Sequence, residues 1–209
     1  MSRHILLTLG AALTVLACAG CSGDTKPHGE AALKGACEGV FDTKMITEAR
    51  KSDSFDDLHV ADGPRSHASA VKTMLDEDHA AYACIVDDKD SPKSDSGALS
   101  IKFIPGLGPL FSPGETQSYG GYKSSKLGNG MQAIIEPESA SVYFQCDSKD
   151  RMRPLSVTAT FYSDFSLSPE ARFQTLFRSS LKVTKILKCE NEIKFPDPAT
   201  MKYLPLKKN

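Results

Sequence analysis

Leu155, Val157, Ala159 and Phe161 alternate with Ser156, Thr158, Thr160 and Tyr162, the two-residue period of a strand with one face in a core. The same period runs through Val142, Phe144 and Cys146, and through Leu99, Ile101 and Phe103 with Ser100 and Lys102 between them. Ala80 to Val86 reads as a further strand, and Met131 to Ile135 with Ala140 to Cys146 flank Pro137 as a hairpin. Elsewhere the period is helical. Asp42 is an N-cap for a helix through Met45, Ile46 and Ala49 to about Lys51, with Thr47 and Glu48 on its exposed side. Pro64 opens a second helix with Ala68, Val71 and Leu75 (and Met74) on one face, running to the acidic end Asp76-Glu77-Asp78. Ser168-Pro169 begins the last helix, which carries Phe173, Leu176, Phe177 and Leu181 on one stripe and ends at Cys189.

These elements predict an α+β fold: a single antiparallel sheet of about five or six strands with helices packed on one face. An internal echo runs through it. The first unit is a helix and then a cysteine-bearing hairpin with the strand Leu99-Ser100-Ile101; the second is a hairpin with Leu155-Ser156-Val157 and then a cysteine-ended helix. The folded domain is expected over 37–195, with a tail from 196 to 209.

The chain has 209 residues, 40% hydrophobic and 24% charged, with a formal net charge of −1 and no tryptophan. Near neutrality removes the broad positive field that phosphate backbones demand, so nucleic acid is not the expected partner. Six cysteines are more than a typical cytosolic domain carries.

Two of those cysteines belong to the N-terminal segment. Met1 to His4 form a basic start and Ile5 to Gly20 a run of 16 residues without a charge, short of the ~20 a spanning helix needs but right for a secretory signal peptide. Ala19-Gly20-Cys21-Ser22 looks like the lipobox of bacterial lipoproteins, in which a diacylglycerol joins the cysteine thiol and the signal peptide, here 1–20, is cut just before it; Cys18 stands where such motifs usually have Leu. Val15-Leu16-Ala17-Cys18 is the rival. Parity favours Cys21, because lipidation there leaves Cys37, Cys84, Cys146 and Cys189 as an even set. Ser22 to Ala36 reads as a flexible tether reaching at most roughly 50 Å, with His28 a solvated linker residue. Of the three connectivities open to four cysteines, the mirrored units favour Cys37 with Cys84 and Cys146 with Cys189.

Cys37-Glu38-Gly39, Tyr143-Phe144-Gln145-Cys146, and Glu170-Ala171 leading through Ser180-Leu181 to Leu187-Lys188-Cys189-Glu190-Asn191 resemble a family of secreted lipoproteins from Streptomyces and related actinomycetes. Its members share a lipobox, four further cysteines and a C-terminal helix ending in Cys-Glu-Asn. The resemblance covers both ends of the mature chain. It implies lipidation at Cys21 by the lipoprotein-processing enzymes, palmitate-type acylation, and anchoring on the outer face of the cell membrane; it implies no reaction and no cofactor.

Common enzyme signatures, among them Gly-x-Ser-x-Gly, His-Glu-x-x-His and the phosphate-binding loop, do not occur. Asp76-Glu77-Asp78-His79 is the densest ionisable cluster and the one candidate for proton transfer, weighed against a solvated helix end. His59 and His67 have no metal spacing and are expected at the surface. Zinc is disfavoured at Cys37, Cys84, Cys146 and Cys189 because no two of them form a Cys-x-x-Cys pair and the gaps between them run to dozens of residues. Asp87-Asp88-Lys89-Asp90 with Asp95 lacks EF-hand spacing and reads as a charged hairpin tip. The loop from Pro105 to Gly130 holds seven glycines and three prolines, and its Phe111, Tyr119 and Tyr122 are the candidate ligand-binding residues. The leading expectation is a membrane-anchored, non-catalytic module outside the cell that binds a small ligand or an envelope protein. An extracellular hydrolase using residues 76–79 and a purely structural envelope protein are the competing expectations.

Overall fold

The five predicted strand segments become five of the six long strands of one antiparallel sheet; the sixth, Lys123–Gly128, falls within the stretch read as a loop from Pro105 to Gly130. The computed structural model describes residues 26–89, 97–108, 123–149, 152–202 and 204–205. Its long strands are β2 (Ala81–Asp87), β3 (Leu99–Pro105), β4 (Lys123–Gly128), β5 (Met131–Ile135), β6 (Ser139–Cys146) and β7 (Leu155–Ser163). Two-residue strands β1 (His59–Val60) and β8 (Leu204–Pro205) extend the edges, giving the order β1-β2-β3-β7-β6-β5-β4-β8. The α+β expectation holds, with six long strands and two short edges.

Register explains the core. Ile101 pairs with Phe161, Phe103 and Val142 both pair with Ala159, and Phe144 pairs with Val157. All seven side chains are completely buried, so the apolar set of each strand reaches the same face. Each of the larger ones contributes about 1.5–3 kcal/mol through removal from water.

One interruption matters. In β2 the register shifts between Tyr82 and Cys84, so that Tyr82 faces Lys102 while Cys84 faces Ile101. The extra residue, Ala83, is a β-bulge, and it returns Cys84 to the core face that strict alternation from Ala81 would deny it. There Cys84 is bonded to Cys37, with Cα atoms 5.2 Å apart. The second bridge joins Cys146 to Cys189, with Cα atoms 5.0 Å apart. Both distances suit a disulfide.

Helices cover that face. They are α1 (Gly29–Gly35), α2 (Thr43–Ala49), α3 (His67–Glu77) and α4 (Pro169–Ile186). Asp42 caps α2 by accepting the Met45 N–H, and Ser168 caps α4 by accepting the Ala171 N–H. Helix α3 starts later than Pro64 predicts, at a capping box in which Ser66 and Ser69 each satisfy the other's backbone N–H. Its inward face is His67, Ala70, Val71 and Met74; Ala68 and Leu75 point outward. The buried stripe runs i, i+3, i+4, i+7 from His67, which leaves Ala68 and Leu75 about 100° round the helix from it. In α4, Leu181 is likewise partly exposed, and Val183 takes the inward position.

Both ends fold further than expected. The tether read up to Ala36 is structured from Gly29, whose N–H donates to the Leu58 carbonyl at 2.8 Å, and α1 buries Ala32 and Leu33. The tail beyond 195 is also engaged. Phe195 stacks on Phe177 with ring centroids 4.5 Å apart, a 3-10 turn follows at Pro198–Thr200, and β8 pairs with β4. Among the described residues no helix is long and apolar enough to cross a membrane.

Candidate functional site

The residues singled out from the sequence do not converge. Cys18 and Cys21, the aromatic candidates Phe111, Tyr119 and Tyr122, and Asp90 and Asp95 lie outside the described residues. Asp76 pairs with Lys72 one turn back, and His79 is exposed with Nδ1 against the carbonyl of Glu77. Asp78 adopts φ +52° and terminates α3. This cluster is a solvated helix end. His28 is exposed and His59 half-buried, their rings 5.7 Å apart. Among the described residues no group of three or more His, Cys, Asp or Glu is placed to hold a metal ion.

His67 is the clear correction. Expected at the surface, it is completely buried because it opens the inward face of α3 against α4. Nε2 lies 2.7 Å from Ser179 Oγ on α4, and Nδ1 lies 3.2 Å from Glu38 Oε1, which also accepts the His67 backbone N–H at 3.2 Å. Nδ1 is not aligned for a hydrogen bond of its own. Burial lowers the imidazole pKa, against the opposing pull of Glu38. Burial alone would raise the Glu38 carboxyl, but contacts from His67 outweigh it and the net shift is downward. Cys37 and Glu38 both hold left-handed backbone, φ +54° and +58°, a conformation that costs roughly 1 kcal/mol or more for such residues.

A serine, an imidazole and a carboxylate in line have the order of a hydrolytic triad. Access decides against that use. Ser179 and His67 are both at zero exposure, whereas a nucleophile must meet the reacting atom at about 3 Å. The line ties α3, α4 and the Cys37 turn together inside the core.

A second buried polar group, Arg172, borders a cavity. A cleft of about 580 Å³ lies between the end of α2 (Glu48, Lys51), the β5–β6 turn (Pro137, Glu138) and the segment from β7 into α4, with Arg172 among its lining residues. The walls are tied down locally. Ser163 donates its backbone N–H to the Glu138 carbonyl at 2.8 Å, and its hydroxyl accepts the Phe165 N–H at 3.0 Å. Asp164 N–H reaches the Ala98 carbonyl at 3.0 Å, and Phe165 and Leu167 anchor the segment in the core. Glu48 crosses the cleft to accept both the N–H and the hydroxyl of Ser168. Tyr162 donates to Asp164, and that bond pushes the phenol up to about 12.

Arg172 is 95% buried, with a relative exposure of 5%. Its Nη1 donates to the Glu136 carbonyl at 2.8 Å, but its buried Nε has no hydrogen-bond partner. Burial lowers its pKa, offset by the nearby charges of Glu138 and Glu48. A guanidinium stays protonated under such pressure. Leaving that donor unmade costs about 1–3 kcal/mol or more.

Sequence reasoning missed this site because its residues are scattered from 48 to 172 and no two form a motif. The available signal was an arginine four residues after a Ser-Pro helix start, beside the apolar stripe. The chain matches no protein-family model, no curated protein and no solved structure.

Proposed function

We propose that this protein is a membrane-anchored extracytoplasmic lipoprotein, held by a lipid on Cys21, whose folded part is a non-catalytic binding module with the Arg172 cleft as its ligand surface. The observation that carries the binding role is a tied-down cleft of about 580 Å³ lined by charged groups of both signs, Glu48, Lys51, Glu138, Asp164 and the buried Arg172. Pockets with a few convergent polar groups are where small ligands bind. The location is supported by the charge-free N-terminal run, the Ala-Gly-Cys-Ser motif and the two bridges, which belong to an oxidising compartment. Two acyl chains are enough for stable attachment. A hydrolase at residues 76–79 draws no support from Asp76 and His79, which face solvent.

Thermal-shift screening of the purified protein against amino acids, short peptides, organic acids and sugars tests the binding role. A ligand that raises Tm in the wild type and not in Arg172→Met is expected, since a bound ligand stabilises by mass action. A ligand that stabilises both equally would place binding elsewhere. Cys21→Ala should move the protein from the membrane fraction to the soluble one; continued attachment would point to Cys18.

A further inference from the structure

The segment expected to be a free tether is docked along most of its length. Lys26 pairs with Asp62, the His28 ring lies 5.7 Å from that of His59, and the Gly29 N–H donates to the Leu58 carbonyl at 2.8 Å. Helix α1 then buries Ala32 and Leu33. Only five residue steps separate Cys21 from Lys26, and they reach at most about 18 Å.

Resting on Cys21 as the lipid anchor, we infer that the domain meets the lipid headgroups of the bilayer with the side that carries β1 and turns the β4–β8 edge away. The membrane-facing surface includes Lys26, His28, Val60, Asp62 and Arg65, all exposed. A domain of this size is about 40 Å across by radius-of-gyration scaling. Held at one point within about 18 Å of a surface, such a body touches that surface only with the hemisphere around that point. Seven strand spacings of about 4.8 Å put β8 about 34 Å from β1, outside that hemisphere. A tether free as far as Ala36 would reach roughly 50 Å and let any side face the lipid. Docking of the segment from Lys26 onward removes that freedom.

Charge does not set this orientation. Lys26 pairs with Asp62 and Lys89 with Asp57 at 3.7 Å, so neither offers an unpaired cation to anionic headgroups.

The chain has no tryptophan, so Val60→Trp and Lys202→Trp each create a single reporter, the first on β1 and the second leading into β8. Each lipidated full-length variant, purified from membranes, is placed in vesicles of phosphatidylethanolamine and phosphatidylglycerol that carry a dansyl headgroup lipid. Energy transfer from Val60→Trp should exceed that from Lys202→Trp by at least about twofold, because the short tether keeps the β1 side near the headgroups. The difference should persist in phosphatidylcholine vesicles. Inserting about 15 Gly and Ser residues after Gly23 should bring the two signals together, since a long flexible linker lets the domain turn. Should Val60→Trp lower Tm, His28→Trp at the same edge replaces it.

Equal or stronger transfer from Lys202→Trp at the natural tether length would overturn the orientation and leave the anchor intact, because the protein is still vesicle-bound. Loss of the difference in phosphatidylcholine, or its full survival after the insertion, would assign the orientation to surface affinity and overturn the inference too. Failure of the purified protein to float with vesicles would overturn the lipid anchor itself.

Discussion

Glu48 on α2 accepts the backbone N–H of Ser168 at 2.6 Å and its hydroxyl at 2.8 Å, joining residues 120 apart in sequence at the start of α4. The carboxylate sits where the positive end of the α4 dipole favours a negative charge, and it fixes the segment that walls the cleft.

Hydrogen bonds to a charged acceptor contribute about 1.5–3 kcal/mol, so Glu48→Ala should lower the unfolding free energy by about 2–3 kcal/mol in urea denaturation. Glu48→Gln keeps one acceptor and should recover part of the loss. A change in Glu48→Ala below about 0.5 kcal/mol, the ordinary scatter of surface substitutions, would show that the contact is incidental.

His67 makes stability depend on pH in a defined direction. Its pKa is lowered in the folded state, so below about 6.5 the unfolded chain takes up a proton that the buried ring resists. Stability from this group is whole above about pH 6.5 and falls as pH drops toward the lowered folded value. Glu38, also lowered, keeps its contribution above its ordinary value of 4.5 and loses it below. Urea titrations between about pH 7.5 and 5 should show the slope in the wild type and its loss in His67→Gln; an unchanged slope in the variant would assign it to another group.

Asn191 closes the end of the sheet. Its Oδ1 accepts the Asp147 N–H and its Nδ2 donates to the Gln145 carbonyl, each at 2.8 Å, while the Glu190 N–H donates to the Asp147 carbonyl at 2.6 Å. The Cys189-Glu190-Asn191 run thus holds the C-terminal end of β6 beside the Cys146–Cys189 bridge. Asn191→Ala should cost about 1–2 kcal/mol. In a Cys146→Ala, Cys189→Ala background the same change should cost less, because the segment that Asn191 pins is no longer tied. Full additivity in that double-mutant cycle would mean the two restraints act independently.

Gly97 approaches β2 closely. It holds φ +60°, and a Cβ there would lie 2.5 Å from Asp87 Oδ1, 2.6 Å from Ile85 Cγ2 and 2.8 Å from the Val86 carbonyl. Left-handed backbone costs a side-chain-bearing residue about 1–2 kcal/mol, and the overlap adds to it. Gly97→Ala should therefore destabilise by about 2–4 kcal/mol, read as a lower denaturation midpoint with little change in slope. A neutral result would mean that the approach relaxes freely.

Local, periodic features are legible in the chain alone. Alternation at Leu99–Phe103, Val142–Cys146 and Leu155–Phe161 identifies strands because side chains on a pleat must alternate faces. Asp42 and Ser168 mark helix starts because their oxygens satisfy donors that the helix leaves open. The cysteine pairing was legible from the mirrored order of units. The rest follows from long-range packing. Ala83 looks like any strand residue, yet the bulge there carries Cys84 to the core face, a consequence of register against β3. His67 appears polar and exposed until α4 packs over α3 and supplies Ser179. Glu48, Glu138, Asp164 and Arg172 have no common spacing; they meet because strand pairing and helix packing bring distant segments together, and that proximity has no local signature in the chain.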